Sequence, residues 1–233
     1  MIGLNASSIS RGFNLNSAIM RDISKSPNRQ TQSVRCPCKC GGVFKSVRGD
    51  IKKSSYNDRV VDLARGTLHR NKKWRYIVID ADTLGTTRAL IAASFNPKRI
   101  LAISHCAIDH AAMKCAGIVK TRHSKAIDVY RSTNHRGRRL FISHDGMQIW
   151  KNTRDAMKTL MESGAVRITI MMNIVRRDNQ RSFPDVHKDM MKFAADNNYI
   201  GNGEATPGYS QSRTPMVPFK YKFTLPIGYR GRA

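Results

Sequence analysis

Downstream of Arg75 the chain alternates short apolar runs with amphipathic stretches, and the two kinds of segment trade places at regular intervals. Tyr76 to Asp80 is an apolar run ending in an acid, as a strand buried on both faces and opening into a loop should be. Leu84 to Phe95 reads as a helix, stopped by Asn96-Pro97 because the residue before a proline is pushed out of helical geometry. Arg99 to Ser104 repeats the strand pattern, Ile108 to Ala116 the helix, and Gly117 ends it. Ile118 to Lys120 predicts a third strand and Ser124 to Tyr130 a third helix, followed by a basic turn from Asn134 to Arg139.

Leu140 to Ser143 predicts a fourth strand that opens into His144-Asp145-Gly146. Ile149 to Glu162 has helical spacing and ends at Ser163-Gly164, with Trp150 and the methionines read as core filling. Ala165 to Val175 is the longest strand candidate, followed by a helix from Val186 to Ala195 and a strand from Phe219 to Leu225. Strand–helix units repeated at this spacing predict an α/β fold with a doubly wound, mostly parallel sheet. Parallel neighbours need a crossover, and the crossovers place helices on both faces.

Charge divides the chain differently. The 233 residues carry 41 Lys and Arg against 16 Asp and Glu, a net charge of +25. Such an excess repels itself unless a polyanion neutralises it, so a nucleic acid is the expected partner, with RNA favoured. Residues 1–75 hold 16 basic and 4 acidic side chains, and the other 158 residues carry +13, so charge density falls by about half near Arg75. This step suggests three parts. Residues 1–35, rich in Ser, Asn and Arg, read as a basic arm, either disordered or a transit segment. Residues 36–74 read as a basic, Cys-containing linker with one short helix from Asn57 to His69, and residues 75–233 as the α/β domain.

No run of eighteen apolar residues occurs, and no apolar signal core follows Met1, so neither a membrane span nor a secretory signal is expected. Five cysteines, three of them between Cys36 and Cys40, do not make a disulfide framework. An intracellular location follows as the expectation, with cytoplasm, nucleus and organelle left open.

Candidate chemistry gathers at strand ends. Asp80-Ala81-Asp82-Thr83-Leu84-Gly85-Thr86 closes the first strand and opens a helix, where doubly wound sheets bind ligands. A carboxylate there accepts from an amino or hydroxyl group, and Gly85 allows close backbone approach. With Ser143-His144-Asp145-Gly146 after strand four and the tail from Tyr199 to Leu225, this loop resembles class I S-adenosylmethionine-dependent methyltransferases. The resemblance spans Arg75 to Leu225 and implies a Rossmann-like sheet of seven strands closed by an antiparallel hairpin. It further implies S-adenosylmethionine as cofactor, with Asp80, Asp82, Gly85, Thr86 and His105 around it. Two positions depart from the family. Asp82 and Leu84 stand where the first two glycines of its acid-x-Gly-x-Gly-x-Gly loop fall, and Ser104-His105-Cys106 stands where an acid holds the ribose, with Asp109 a turn later.

The resemblance implies Asp145 and His144 facing the cleft, with Asp145 near the reacting centre. Relatives that methylate ribose hydroxyls use a Lys-Asp-Lys-Glu tetrad, and Lys73, Asp145 and Glu204 fall in the corresponding order. Arg176 or Arg177 stands in place of the second Lys.

Cys36, Cys38 and Cys40 alternate along the chain instead of forming Cys-x2-Cys knuckles, and His105 and His110 miss the i, i+4 spacing that puts two imidazoles on one helix face. No metal site is assigned. Cys106 and Cys115 read as small buried hydrophobes. Two functional readings stand: a methyltransferase acting on a nucleic acid, or a non-enzymatic nucleic-acid-binding or structural protein that keeps the fold. A nicotinamide-type dinucleotide enzyme is disfavoured because Gly-x-Gly-x-x-Gly is absent.

The arm yields a direct test. Deleting residues 1–35, which carry five basic groups and one acid, is expected to weaken nucleic-acid binding and flatten its salt dependence. Affinity measured against salt for full and shortened chains checks this, and identical slopes would leave the arm no role in binding.

Overall fold

The computed structural model describes residues 51–68, 74–81, 84–132, 135–175, 183–211 and 214–226. Its first half runs α1 (Ile51–Leu68), β1 (Trp74–Ile79), α2 (Gly85–Ala92), β2 (Ile100–Ser104), α3 (Ala107–Ala116), β3 (Lys120–His123) and α4 (Ala126–Ser132). The second half runs β4 (Arg139–Gln148), α5 (Trp150–Met161), β5 (Arg167–Val175), α6 (Phe183–Asp196), β6 (Ile200–Ala205), β7 (Tyr209–Gln211) and β8 (Thr214–Thr224).

The strands form one sheet in the order β3-β2-β1-β4-β5-β8-β6. Strands β1 to β5 are parallel, and β8 enters antiparallel between β5 and β6. This is the mostly parallel, doubly wound sheet that the hydrophobic pattern predicts, with the antiparallel last strand that the resemblance implies. The short β7 adds an eighth strand by folding back on the start of β8.

Most expected elements differ from those found by only a few residues at their ends. Larger differences have identifiable causes. β8 begins at Thr214, not Phe219, because Pro215 and Pro218 mask its first half, and prolines in a run argue against a strand. β6 gives little strand signal because it carries Gly201 and Gly203. Those glycines are required: a side chain at Gly203 would collide with the Tyr221 ring, and one at Gly201 with the Lys222 carbonyl. β3 starts two residues beyond its expected place, since Ile118 and Val119 pack against the core on the way into the sheet.

The two faces of the sheet carry separate cores. One face meets α4, α5 and α6 through a large cluster that includes Val129, Ile142, Leu160, Ile170, Val186 and Phe223. The other meets α1 and α2 through Tyr56, Val60, Trp74, Tyr76, Leu90 and Phe141, with α3 closing the edge through Met113. Helix α1 lies upstream of the charge step at Arg75, yet Tyr56, Val60, Val61 and Ala64 are all buried. The packed body thus reaches back at least to Tyr56, into the stretch whose composition reads as a linker. Cys106 is buried, whereas Cys115 faces solvent, contrary to the expectation of two buried thiols: it lies on the outer side of α3.

Helix α2 ends without glycine. Ser94 is left-handed (φ 70°), its amide bonds to the Ile91 carbonyl at 2.9 Å, and the Phe95 amide reaches back to the Leu90 carbonyl at 3.1 Å. This bond pair is a Schellman stop, and the buried Phe95 seals it against Tyr76 with ring centroids 5.1 Å apart. A β-carbon in the left-handed region costs about 1 kcal/mol. Because Ser94 is exposed, Ser94→Gly is expected to raise stability by about 0.5–1 kcal/mol, read as a higher midpoint in thermal or urea unfolding.

Candidate active site

Strand order reverses between β1 and β4, and in doubly wound sheets ligands bind outside the carboxyl ends of the strands at such a point. Register places the residues there. Ile103, Ile79, His144 and Met172 align across β2, β1, β4 and β5. The next residues outward are Ser104, Asp80, Asp145 and Asn173, and Ser104 aligns with His123 on β3. A polar row therefore crosses the carboxyl edge of five strands, above a layer in which the buried His144 stands among Ile103, Ile79 and Met172. Asp80 and Asp145 leave adjacent strands, roughly one strand spacing of 4.8 Å apart.

Each carboxylate is anchored. Asp80 is buried, and its Oδ2 accepts from the Thr87 amide at 2.9 Å while Oδ1 accepts from the Ala81 amide at 3.2 Å. It thereby caps the first turn of α2. Asp145 Oδ1 accepts from Asn173 Nδ2 at 3.0 Å. Beyond His144 the β4 ladder shifts, so that three residues of β4 face one of β5 before Gln148 pairs with Ile174. This bulge ends regular pairing at Asp145 and leaves its side chain half-buried at the rim.

His144 does not share the cleft with Asp145. Alternation along β4 sends it to the other face, where it is 3 % exposed with Nδ1 3.4 Å from the Tyr130 hydroxyl. Burial pushes its pKa down to about 4, so it stays neutral. Ser143 lies 3.4 Å from the Tyr56 hydroxyl of α1.

At the entrance to α2 Leu84 adopts a conformation that glycine would take without strain. Leu84 is left-handed (φ 52°), and its amide closes a turn onto the Ala81 carbonyl at 3.0 Å. Its side chain is fully buried against Ala102 and Met113, so it fills the core and leaves the cleft open. Thr86 donates from Oγ1 to Asn57 Oδ1 of α1 at 2.9 Å, and Gly85 begins α2.

At the tip of β2 a carboxylate arrives from the following helix. Ser104 Oγ donates to Asp109 Oδ2 at 3.3 Å, which brings a carboxylate from α3 back to the strand end. His105 sits at the bend between them, its carbonyl 3.1 Å from His123 Nε2. His123 stacks on His110 with ring centroids 5.5 Å apart. Burial, then the charges of His123 and Lys114, lower the His110 pKa.

Among the other predicted site residues, Lys73, Asp82, Arg176 and Arg177 lie outside the described residues, as do Cys36, Cys38, Cys40 and His69. Trp74, next to Lys73, opens β1 at the end of the sheet opposite the polar row. Glu204 is on β6, three strands from Asp145, and pairs with Lys220 Nζ at 2.6 Å. Asn173 escaped the sequence reading, although a lone amide inside the apolar run of β5 is the kind of signal that marks a site. Asn57 had no such signal.

Among the described residues no helix is long and apolar enough to cross a membrane. No protein-family model and no curated protein matches the chain. Solved structures do match it. M. jannaschii TYW2 in complex with AdoMet aligns with a TM-score of 0.54 at 14 % identity, over 80 % of this chain and 84 % of that one. The methyltransferase domain of bacterial CtHen1-C gives 0.52 at 11 % identity, over 74 % and 98 %. A putative RNA methyltransferase from Pyrococcus horikoshii gives 0.50 at 11 % identity, over 74 % and 85 %. The chain has the class I methyltransferase fold.

A pH effect follows from the buried histidines. Burial holds His144 near 4, and burial with the Arg138 charge does the same for His135, against about 6.5 in an unfolded chain. As pH falls below about 6.5, the unfolded chain takes up protons that the folded one refuses. Stability present above that pH is thus lost on acidification towards 4, at up to about 1.4 kcal/mol per pH unit for each histidine. Urea midpoints between pH 7.5 and 5 should show this slope, and His144→Asn should remove about half of it.

Proposed function

We propose that the chain is an S-adenosylmethionine-dependent methyltransferase acting on a nucleic acid, with RNA favoured. The observation that carries this reading is the placement of Asp80 and Asp145 at the ends of adjacent strands at the switch point, with Asp80 anchoring the start of α2. The residues present suit the cofactor. Leu84 turns its side chain away from the cleft, Gly85 leaves the helix start accessible, and Asp109 with Ser104 brings hydrogen-bonding oxygens to the place of the ribose acid. Asp80 and Gly85 would line the loop side with Asp82, and His105 the β2 side, whereas the buried Thr86 would brace the loop through Asn57.

S-adenosylmethionine supplies an electrophilic methyl group when bound. Asp145 would accept a hydrogen bond from the attacking hydroxyl or amine and take its proton as the group becomes nucleophilic. Asn173 holds that carboxylate at 3.0 Å and so orients it, which limits the reorganisation needed at transfer. We place the chemistry on Asp145 rather than on a tetrad with Lys73 and Glu204, because Glu204 is three strands away and engaged by Lys220. The net charge of +25 supports a polyanionic substrate.

A second reading rests on the departures themselves. Asp82, Leu84 and Thr86 replace three loop glycines, as would befit a nucleic-acid-binding protein that keeps the fold without the reaction. Calorimetry with S-adenosylmethionine and its demethylated product separates the two. The full chain is expected to bind both. Asp80→Ala should abolish binding while the fold persists at a cost of about 1 kcal/mol for the lost cap. Asp109→Asn should weaken binding about tenfold or more. A wild-type chain that gives no heat at high ligand concentration favours the second reading.

A further inference from the structure

The end of the sheet opposite the polar row is basic. Lys98 precedes β2, Arg75 is the second residue of β1, Arg139 opens β4 and Arg167 opens β5. These are four adjacent strands, so the positions span about 14 Å, with Arg139 and Arg167 on one face of the sheet's end and Arg75 on the other. Trp74, Arg139 and Arg167 share one register level, and Arg75 is one residue inward. The turn before β4 adds Arg136 and Arg138, both exposed.

That turn is braced. The Gly137 amide bonds to the Gly164 carbonyl at 3.3 Å, and the Val166 amide to the Arg138 carbonyl at 2.8 Å. Arg136 lies along Gly164, where a β-carbon would meet its Cγ at 3.7 Å. The cations therefore stand on a fixed frame.

Acids close to this end are already matched within their own helices. Asp62 pairs with Arg65 at 3.0 Å, Glu162 with Lys158 at 3.9 Å and Asp196 with Lys192 at 2.8 Å. None of the ion pairs among the described residues involves Arg75, Lys98, Arg139 or Arg167. Helix carboxyl ends also point this way and attract cations in their last turns. That effect accounts for Lys114 in α3 and Arg131 in α4, but not for the charges at the starts of β1, β4 and β5. Like charges crowded along one edge repel each other unless an extended anion runs beside them.

We propose that the amino-terminal end of the sheet is a docking surface for the phosphate backbone of a nucleic acid, separate from the cleft at the carboxyl end. The spacing suits a phosphate chain, since a duplex presents about one charge per 1.7 Å of axis and a single strand a sparser row. Contacts of this kind position a strand without reading its bases. The surface works whether or not the cleft transfers methyl groups, because the two ends of a strand are separated by its whole length.

Two variants of the full chain test this, each removing three charges. One is Arg75→Gln with Lys98→Gln and Arg167→Gln at the amino-terminal end. The other is Lys125→Gln with Lys151→Gln and Lys188→Gln, exposed positions towards the carboxyl end. Binding of a fluorescein-labelled single-stranded RNA of mixed sequence is followed by anisotropy from 50 to 300 mM KCl. The amino-terminal variant is expected to bind about tenfold or more weakly at low salt, with a slope of log affinity against log salt shallower by about 2. The carboxyl-end variant should lose much less, and both should keep wild-type unfolding midpoints and wild-type heats with S-adenosylmethionine. Equal losses in the two variants, an unchanged amino-terminal variant, or a wild-type chain without affinity for the RNA would each overturn the proposal. Cofactor heats report on the methyltransferase reading separately.

Discussion

The Asp80 carboxylate holds the Thr87 amide at 2.9 Å, and this bond sets how the first strand passes into the first crossover helix. Strand β1 lies at the centre of the sheet, between β2 and β4, so its exit fixes where the crevice opens. A buried carboxylate must be satisfied, and here the start of a helix satisfies it. The turn from Ala81 to Leu84 closes around that anchor, Thr86 ties the loop to α1, and Asp145 emerges from the neighbouring strand at the same height. Loss of the anchor would disturb all three together.

The fold was legible from Arg75 onwards because parallel strands buried on both faces write themselves as largely apolar runs, as in Tyr76 to Ile79 and Ala165 to Val175. At the far edge β6 was not legible, and of β8 only the half from Phe219 was. β6 gives its side-chain positions to the Tyr221 ring and so reads as a glycine-rich loop, and β8 carries two prolines. Helix α1 was only half visible, because its buried residues sit among many charges and its composition matches that of the segment before it.

Candidate residues at strand tips could be named because strand ends can be found from pattern alone. Their partners could not. Asn173 with Asp145, Asp109 with Ser104 and Asn57 with Thr86 meet across separate elements, and no local spacing encodes such meetings. His144 shows the converse error: an adjacent polar residue looks like a site-mate until the alternation of a strand turns it to the opposite face.

Leu84 has a consequence for how the crevice meets a ligand. A glycine loop is ordered largely by what it binds, and the freedom it gives up is charged against affinity. Here a leucine side chain locked under α3 holds the left-handed turn. The conformational entropy of Leu84 is therefore lost when the chain folds, and a ligand arriving afterwards finds the entrance to α2 already set.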